Sequence, residues 1–316
     1  YGLTQSPRKK TVGVPRDSAD EIGVGTINLS RKGKKRPRAL GKKLAPRMDI
    51  DPRGSELTGL AGLFERSIRS AKGLVHGSIM LLLYVVAIVI LGMCVAPGIA
   101  ILEWTWRTTA DSAAFLRFPA LGIAVAASYF AYGFSLVALV PAINSILKAR
   151  LEPWRGPYYS AGVFKWYIHN SLTYLVRFTF LDFITPTPYS NLFFKAMGMK
   201  IGKGGQINTI YVSDPSLIEI GEKVTIGGSV TLIGHYAAGG FLVLARTRIG
   251  NGATIGLRAI VFGGVEIGAD ARVLPNSVVL PKTIIPAGET WGGVPAVRID
   301  VEKMRQAMTN NSTQAA

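Results

Sequence analysis

The chain has 316 residues, with 36 Lys and Arg against 19 Asp and Glu, for a formal charge of +17. Hydrophobic residues make up 48% of it and the mean hydropathy is positive, which argues against an ordinary soluble domain. The single cysteine, Cys94, excludes an intramolecular disulfide and a cysteine metal cage.

Residues 1–72 form a basic, Pro- and Gly-rich tail with 17 Lys and Arg against seven Asp and Glu. Residues 1–56 have too few apolar side chains to offset the entropy of ordering, so we expect disorder there in the isolated chain. Membrane lipids or a larger membrane complex are the expected partners of the tail, ahead of nucleic acid, because a membrane segment follows. Position 1 is not Met and no signal peptide is recognisable, which indicates trimming or removal of an import sequence.

Two uncharged stretches predict a transmembrane hairpin over residues 73–149. Residues 73–102 contain no Asp, Glu, Lys or Arg, and residues 118–147 repeat this pattern with many small side chains. About 20 apolar residues suffice to cross a bilayer. Positive residues flank the hairpin, so both termini are expected on the cytoplasmic side or the matrix-equivalent side of an organelle. Two buried core helices are the alternative.

Residues 150–198 are rich in aromatic side chains, which favour the bilayer interface. They include Trp154, Tyr158, Tyr159, Trp166 and Tyr167. We expect interfacial helices here that form a collar between the membrane and the C-terminal domain. An ordinary buried amphipathic helix would explain these aromatics nearly as well.

A six-residue repeat determines the predicted fold of residues 199–299, which precede a tail at 300–316. Aliphatic residues recur at Ile249, Ile255, Val261, Ile267, Val273, Val279 and Ile285. Neither the helical period nor the strand period explains this spacing. A triangular coil does, because each hexapeptide supplies one short strand and one turn around an aliphatic axis. Turn-forming residues such as Gly252, Ala253, Ala269 and Asn276 are expected at its corners.

The repeat is interrupted between Leu232 and Ile249, which are 17 positions apart, one short of a rung of about 18 residues. Such an interruption in a solenoid maps to a loop that leaves one face. The loop starts at His235 and reads HYAAGGFLVLARTR. Loops of this kind commonly carry function, so this one is the candidate site.

The repeat and its exit through Gly293-Val294-Pro295-Ala296 resemble the hexapeptide-repeat acyltransferase superfamily. Residues 188–299 look closer to the membrane-embedded C-terminal condensing region of poly-lysine-synthetase-like proteins and their stand-alone relatives. The resemblance implies an all-β left-handed parallel β-helix, here preceded by two transmembrane helices and interfacial helices. It also implies a homotrimer with active sites between neighbouring β-helices. Acyl-CoA or a phosphopantetheine thioester would be the co-substrate, with no bound cofactor.

The resemblance places the catalytic histidine at His235. A neutral imidazole there could take the proton from an attacking amine or hydroxyl, and the backbone N–H groups of Gly239 and Gly240 could stabilise the oxyanion. A corner or core residue without chemical role is the alternative for His235.

The sequence departs from the resembled subgroup, in which acidic residues follow the histidine. Here Tyr236 and Ala237 follow it. Either Asp214 or Glu222, one rung earlier, could orient the imidazole instead.

Arginines near the interruption could bind the phosphates of CoA or pantetheine, or form a solvated face. They are Arg246, Arg248 and Arg258. Trp291 could stack on adenine or, as we favour, cap the aliphatic column. The three histidines, His76, His169 and His235, are too dispersed for a three-histidine zinc site, so no metal is expected and a γ-class carbonic anhydrase is excluded.

The sequence therefore favours a membrane-anchored acyltransferase that moves an acyl group from a CoA or carrier thioester to an amine or hydroxyl. The alternative is a catalytically inactive, acyltransferase-like structural subunit of a larger membrane complex. An ordered basic tail and the missing acidic neighbours of His235 would favour that alternative.

Overall fold

The computed structural model describes residues 59–158, 160, 162–300 and 302. Residues 1–56, for which we predicted disorder, lie outside the described residues. So do most of the C-terminal tail and Tyr159. The described part begins with α1 (Gly59–Ser70), inside the segment that we predicted as a basic tail.

Two long helices follow, α2 (Lys72–Thr108) and α3 (Ala114–Ile146). Ser128 donates its hydroxyl proton to the carbonyl oxygen of Gly98 at 2.8 Å, and a Cβ on residue 98 would lie only 3.0 Å from that side chain. Glycine therefore allows the two helices to approach closely. The portions His76–Thr108 and Ala114–Ile146 are each long and apolar enough to cross a membrane.

The collar contains one strand and three helical segments, whereas we expected helices alone. They are β1 (Trp154–Pro157), α4 (Val163–Val176), a π-helix (Arg177–Leu181) that continues α4, and α5 (Pro188–Ala196). The buried Phe180 ring packs on α3 at Gly133, where any Cβ would overlap it. The collar is thus fixed against the second long helix.

Between Lys200 and Arg298, the chain forms three sheets of mainly parallel strands, which it visits in turn. The first contains β2 (Lys200–Ile201), β5 (Ile218–Ile220), β10 (Thr247–Ile249), β13 (Glu266–Ile267) and β16 (Ile284–Ile285). The second contains β3 (Gln206–Ile207), β6 (Thr225–Ile226), β11 (Thr254–Ile255), β14 (Arg272–Val273), β17 (Thr290–Gly292) and the antiparallel β18 (Val297–Arg298). The third contains β4 (Val212–Ser213), β7 (Thr231–Ile233), β12 (Ile260–Val261) and β15 (Val278–Val279). This is the predicted left-handed parallel β-helix.

The predicted aliphatic positions line the axis of the β-helix. Ile249 pairs with Ile267 and Ile255 with Val273, one rung apart. All seven predicted side chains are at most 3% exposed. Because full burial of such a side chain contributes roughly 1.5–3 kcal/mol, this column is a major source of the domain's stability.

The corners follow the same period, three residues after each inward side chain. Residues there have φ between 56° and 80°, namely Gly252, Arg258, Gly264, Asp270, Asn276, Lys282 and Gly288. Gly252 and Asn276 were expected at corners. Ala253 instead is fully buried, and Ala269 does not have a positive φ. The corner is therefore defined by the left-handed backbone rather than by small size alone.

The interruption is an insertion and not a shortened rung. Val261 pairs with Leu232 across 29 positions, where a regular rung such as Val261 to Val279 spans 18, an excess of eleven. The added residues form an antiparallel hairpin, β8 (His235–Ala238) and β9 (Phe241–Leu244). β1 of the collar pairs with β9. The expected loop is therefore a hairpin held against the collar.

Candidate active site

His235 opens the inserted hairpin, directly after Gly234. A Cβ on residue 234 would lie 2.9 Å from the Cβ of Asp214 and 2.8 Å from that of Leu217. Glycine at this position therefore lets the chain leave the β-helix close to the buried Asp214. Asp214 itself has a left-handed backbone, with φ of 60°, and precedes a short 3₁₀ turn, Pro215–Leu217.

Asp214 is the acidic partner of His235, which resolves the choice that the sequence left open in favour of Asp214 over Glu222. The Nδ1 atom of His235 lies 2.5 Å from Oδ2 of Asp214, which also accepts the backbone N–H of Gly234 at 3.1 Å. The other oxygen, Oδ1, accepts the side-chain amide of Asn170 at 2.7 Å. With its proton on Nδ1, a neutral His235 has the lone pair of Nε2 available as a base.

The environment keeps the Asp214 carboxylate ionised. Burial, with 0% of the residue exposed, raises its pKa, but the hydrogen bond and charge of His235 and the amide of Asn170 together hold the pKa below its usual value. The His235 side chain is 23% exposed, so it joins a fully buried carboxylate to the surface. An imidazole with this partner can accept a proton and be stabilised as the cation.

Helix α4 supplies two contacts that sequence reasoning missed. Asn170 binds Asp214, and the Trp166 ring meets the His235 ring edge to face, with centroids 5.0 Å apart. Both residues lie in the segment that we interpreted as interfacial from its aromatic content. Their i, i+4 spacing puts them on one helix face, which was the available signal, but the sequence does not show what that face contacts.

Gly239 and Gly240 form the tip of the hairpin, with φ of 57° and 86°. The carbonyl oxygen of Gly240 accepts the backbone N–H of Tyr158 at 3.0 Å. The tip is separated from His235 by the length of β8, about 10 Å at the usual rise of a strand. Within one chain, these glycines and the imidazole are not brought together.

Two of the three predicted phosphate-binding arginines form ion pairs with carboxylates of the β-helix. Arg246 donates to Glu219 at 2.9 Å, and Arg248 donates to Glu266 at 2.8 Å. Glu219 also accepts from Lys200 at 2.9 Å, and this hydrogen bond is the largest of the effects that lower the pKa of Glu219. These residues form a charge ladder on the outer face of the first sheet. Arg258 is an exposed corner residue.

Trp291 lies on the last coil of the β-helix and is 4% exposed. It pairs with Val273 below and Arg298 of β18 above, and its indole N–H donates to Glu289 at 2.8 Å. A ring in this position covers the aliphatic column and has little surface for stacking on adenine.

The three histidines lie on separate elements with separate partners. The ring of His76 on α2 contacts Tyr167. His169 on α4 is fully buried, and its Nδ1 lies 2.9 Å from the side-chain oxygen of Asn144 on α3. Burial lowers the pKa of His169 to about 4, so this imidazole is neutral at physiological pH.

Comparison with known proteins gives several relatives of part of the chain, although no family profile matches it. It is 27% identical to delta-poly-L-ornithine synthetase of Acinetobacter baumannii over 50% of the chain and 12% of that protein. It is 33% identical to mitochondrial gamma carbonic anhydrase 2 of Arabidopsis thaliana, over 31% of the chain and 42% of the relative. It is 31% identical to serine acetyltransferase of Helicobacter pylori, over 34% of the chain and 60% of that relative. The chain thus spans less than two thirds of each relative.

Among solved structures, the chain is similar to a variant of GDP-perosamine N-acetyltransferase from Caulobacter crescentus in complex with CoA and GDP-perosamine. The identity is 30%, the TM-score is 0.26, and the match covers 31% of this chain and 40% of the other. The sequence matches and the six-residue repeat together support the hexapeptide-repeat superfamily that the sequence predicted. The poly-ornithine synthetase match agrees with the predicted subgroup.

Proposed function

We propose that this chain is a membrane-anchored acyltransferase that moves an acyl group from a CoA or carrier-bound phosphopantetheine thioester to an amine or hydroxyl acceptor. The observation that carries the proposal is the short hydrogen bond between the partly exposed His235 and the buried Asp214. The similarity to serine acetyltransferase supports the same type of reaction.

In the proposed reaction, Nε2 of His235 removes the proton of the acceptor while its nitrogen or oxygen attacks the thioester carbonyl carbon. A C–N or C–O bond forms and the C–S bond breaks. The imidazolium then returns the proton to the leaving sulfur, which departs as a thiol. Asp214 stabilises the imidazolium and fixes its orientation. General base catalysis of this kind raises a reaction rate about 10²–10⁴-fold.

Anchoring would come from α2 and α3, whose described exposed side chains are mostly apolar. Exposed examples are Leu81, Leu82, Ile88, Val89 and Ile123. Exposed apolar side chains continue on the collar, at Phe178, Phe183, Tyr189 and Leu192, which suits the headgroup level of a bilayer. Both termini would lie on the same side, with the basic tail near anionic lipid or a larger membrane complex.

A homotrimer would place the active sites between neighbouring β-helices. The outer face of the third sheet supports this assembly, because the outward residues Ile260 and Val278 are apolar and half-buried. The first sheet instead carries its charge ladder outward. His235 directly follows β7 of the third sheet, so a partner packed on that sheet would lie beside the imidazole.

The alternative is a catalytically inactive structural subunit. It draws support from the absence of acidic residues just after His235. Asp214 supplies a carboxylate from an earlier rung, and this contact favours the enzyme over the structural subunit.

The test is replacement of His235 in the full chain, purified in lipid nanodiscs. We expect wild type to release thiol from acyl-CoA or acyl-pantetheine in the presence of amine or hydroxyl acceptors. His235→Ala should lower this rate about 10³-fold with an unchanged circular dichroism spectrum. His76→Ala, on another element, is the matched control. Equal rates for His235→Ala and wild type, or no turnover by folded wild type with any donor, would overturn the proposal.

A further inference from the structure

One face of helix α4 contacts three successive points around the hydrogen-bonded pair His235 and Asp214, which we call the dyad. Trp166 meets the His235 ring, Asn170 donates to Asp214, and Tyr174 lies 3.1 Å from the hydroxyl of Ser213 through its own hydroxyl. These three residues of α4 are spaced by four, so they form one row along the helix. The collar therefore meets the β-helix at the dyad and on both sides of it.

The Asn170 side chain is held in one orientation. Its Nδ2 atom donates one proton to the carbonyl oxygen of Trp166 at 3.1 Å and the other to Oδ1 of Asp214 at 2.7 Å. Asn170 is 5% exposed and Asp214 is 0% exposed. The Asn170 amide must present its N–H group to the carboxylate, because the amide oxygen would be repelled by the carboxylate oxygens.

The carboxylate of Asp214 depends on donors from two different domains. Oδ2 is satisfied by Gly234 and His235 of the β-helix, while Oδ1 receives its proton from Asn170 of the collar. A buried carboxylate that loses a hydrogen bond favours its neutral, protonated form. A protonated Asp214 would no longer require the proton of His235 on Nδ1.

We propose that Asn170 is a positioning residue, which acts through Asp214 to keep the proton of the neutral His235 imidazole on Nδ1 and the lone pair on Nε2. The kinetic consequence rests on the proposed acyl transfer, whereas the position of the proton does not. Asn170, on the membrane-proximal helix α4, would then support the catalytic pair from the collar, and a β-helix without the collar would lack this hydrogen bond.

Other ionisable groups near the dyad do not provide the same contact. His169 lies on another side of α4 and binds Asn144, and its charge would act on Asp214 only at a distance. Lys165 and Arg150 act electrostatically on His169. Among the collar residues that the structure describes, Asn170 is the one that donates a hydrogen bond to the carboxylate.

The three histidines of the chain make a direct test possible. In protein labelled with ¹⁵N-histidine, the ring nitrogen shifts distinguish the Nδ1–H from the Nε2–H tautomer, and His235→Ala assigns the signal. At a pH where the ring is neutral, we expect His235 of wild type to be mainly the Nδ1–H tautomer. Asn170→Ala and the volume-conserving Asn170→Leu should both give a mixture of tautomers, and kcat should fall about 10–30-fold with an unchanged KM for the thioester.

Two further variants separate positioning from packing. Tyr174→Phe removes a hydroxyl contact from the same helix face and should leave the tautomer and the rate as in wild type. Asn170→Gln keeps the amide and should restore part of the Nδ1–H tautomer and part of the rate. If either Asn170→Ala or Asn170→Leu folds and keeps a single Nδ1–H tautomer with kcat within twofold of wild type, the positioning role is overturned. A tautomer change in a protein that turns over no thioester would support the positioning role and reject the acyl transfer.

Discussion

The β-helix and the collar fix their side chains in two different ways. In the β-helix, the position of a residue within the repeat of six decides whether it is buried, outward or at a corner, as Ile255, Leu257 and Arg258 illustrate. In the collar, roles depend on contacts with distant parts of the chain, such as Asn170 with Asp214. The difference teaches that the repeat defines a regular frame, while the candidate site lies where the repeat is disturbed.

Both members of the dyad lie at such disturbances. His235 opens the inserted hairpin. Asp214 lies between Val212 and Leu232, which pair across 20 positions rather than 18, in the stretch that holds a 3₁₀ turn. The six regular corners from Gly252 to Lys282 include the carboxylate Asp270, which is exposed, whereas Asp214 at the disturbed corner is fully buried beside the hairpin and the collar.

The largest effect of a substitution is expected at Asp214, which lies where the repeat is disturbed. Asp214→Asn keeps the shape of the side chain but removes the charge that stabilises the imidazolium, so acyl transfer should fall roughly 10³-fold. Thiol release from the thioester donor measures the effect. Glu222→Gln, a carboxylate from the regular part of the same coil, should change the rate less than twofold. Similar losses in the two variants would mean that the disturbance has no special role.

The sequence was sufficient for the frame but only partly so for the site. The period of six predicted the inward column and His235 marked the interruption, because both are properties of a local pattern. The same pattern could not decide between Asp214 and Glu222, since that choice depends on the path of the inserted residues. It could not show Asn170 at all, because the aromatic residues around it suit a helix at the bilayer interface as well as one that contacts a β-helix.

The second largest effect tests the frame. Ile255→Ala removes a fully buried side chain from the column and should lower the free energy of unfolding by about 2–4 kcal/mol. Leu257→Ala, two residues later and 49% exposed, should change it by less than about 0.5 kcal/mol. Chemical denaturation in detergent, followed by circular dichroism, compares the two. Equal effects would contradict an inward column with a period of six.

A pH-dependent effect of about 3 kcal/mol is expected from the collar. The pKa of His169 is about 4 in the folded protein, against 6.5 for an unperturbed histidine, so the unfolded chain binds the extra proton first as the pH falls. Stability from this group is therefore full above pH 6.5 and is lost between about pH 6.5 and 4. The Asp214 carboxyl, whose pKa is also lowered, loses its contribution only at lower pH.

The measurement is the free energy of unfolding at about pH 7 and about pH 4.5. His169→Gln should show a smaller difference between the two conditions than wild type, while His76→Gln on the exposed start of α2 should resemble wild type. A wild-type difference that persists in His169→Gln would assign the effect to other groups.

The smallest effect is expected at a corner. Asn276 has a φ of 56°, which a β-branched residue adopts only with strain, so Asn276→Val should destabilise by about 1–2 kcal/mol. Asn276→Gly should lie within about 0.5 kcal/mol of wild type, because glycine adopts this backbone readily. Thermal unfolding measures the stability of both variants. Equal stability of the two would contradict the requirement for a left-handed backbone at this corner.

Other elements pack against both described ends of the β-helix, and this opposes end-to-end stacking of copies. Phe193, Phe194 and Met197 join the apolar core at the first coil, and β18 runs antiparallel beside β17 at the last. A solenoid with bare ends would offer unpaired strands and an open apolar core to the next copy, and would grow into a fibre. With its ends covered in this way, the described part of the β-helix has no open column on which a second copy could stack end to end.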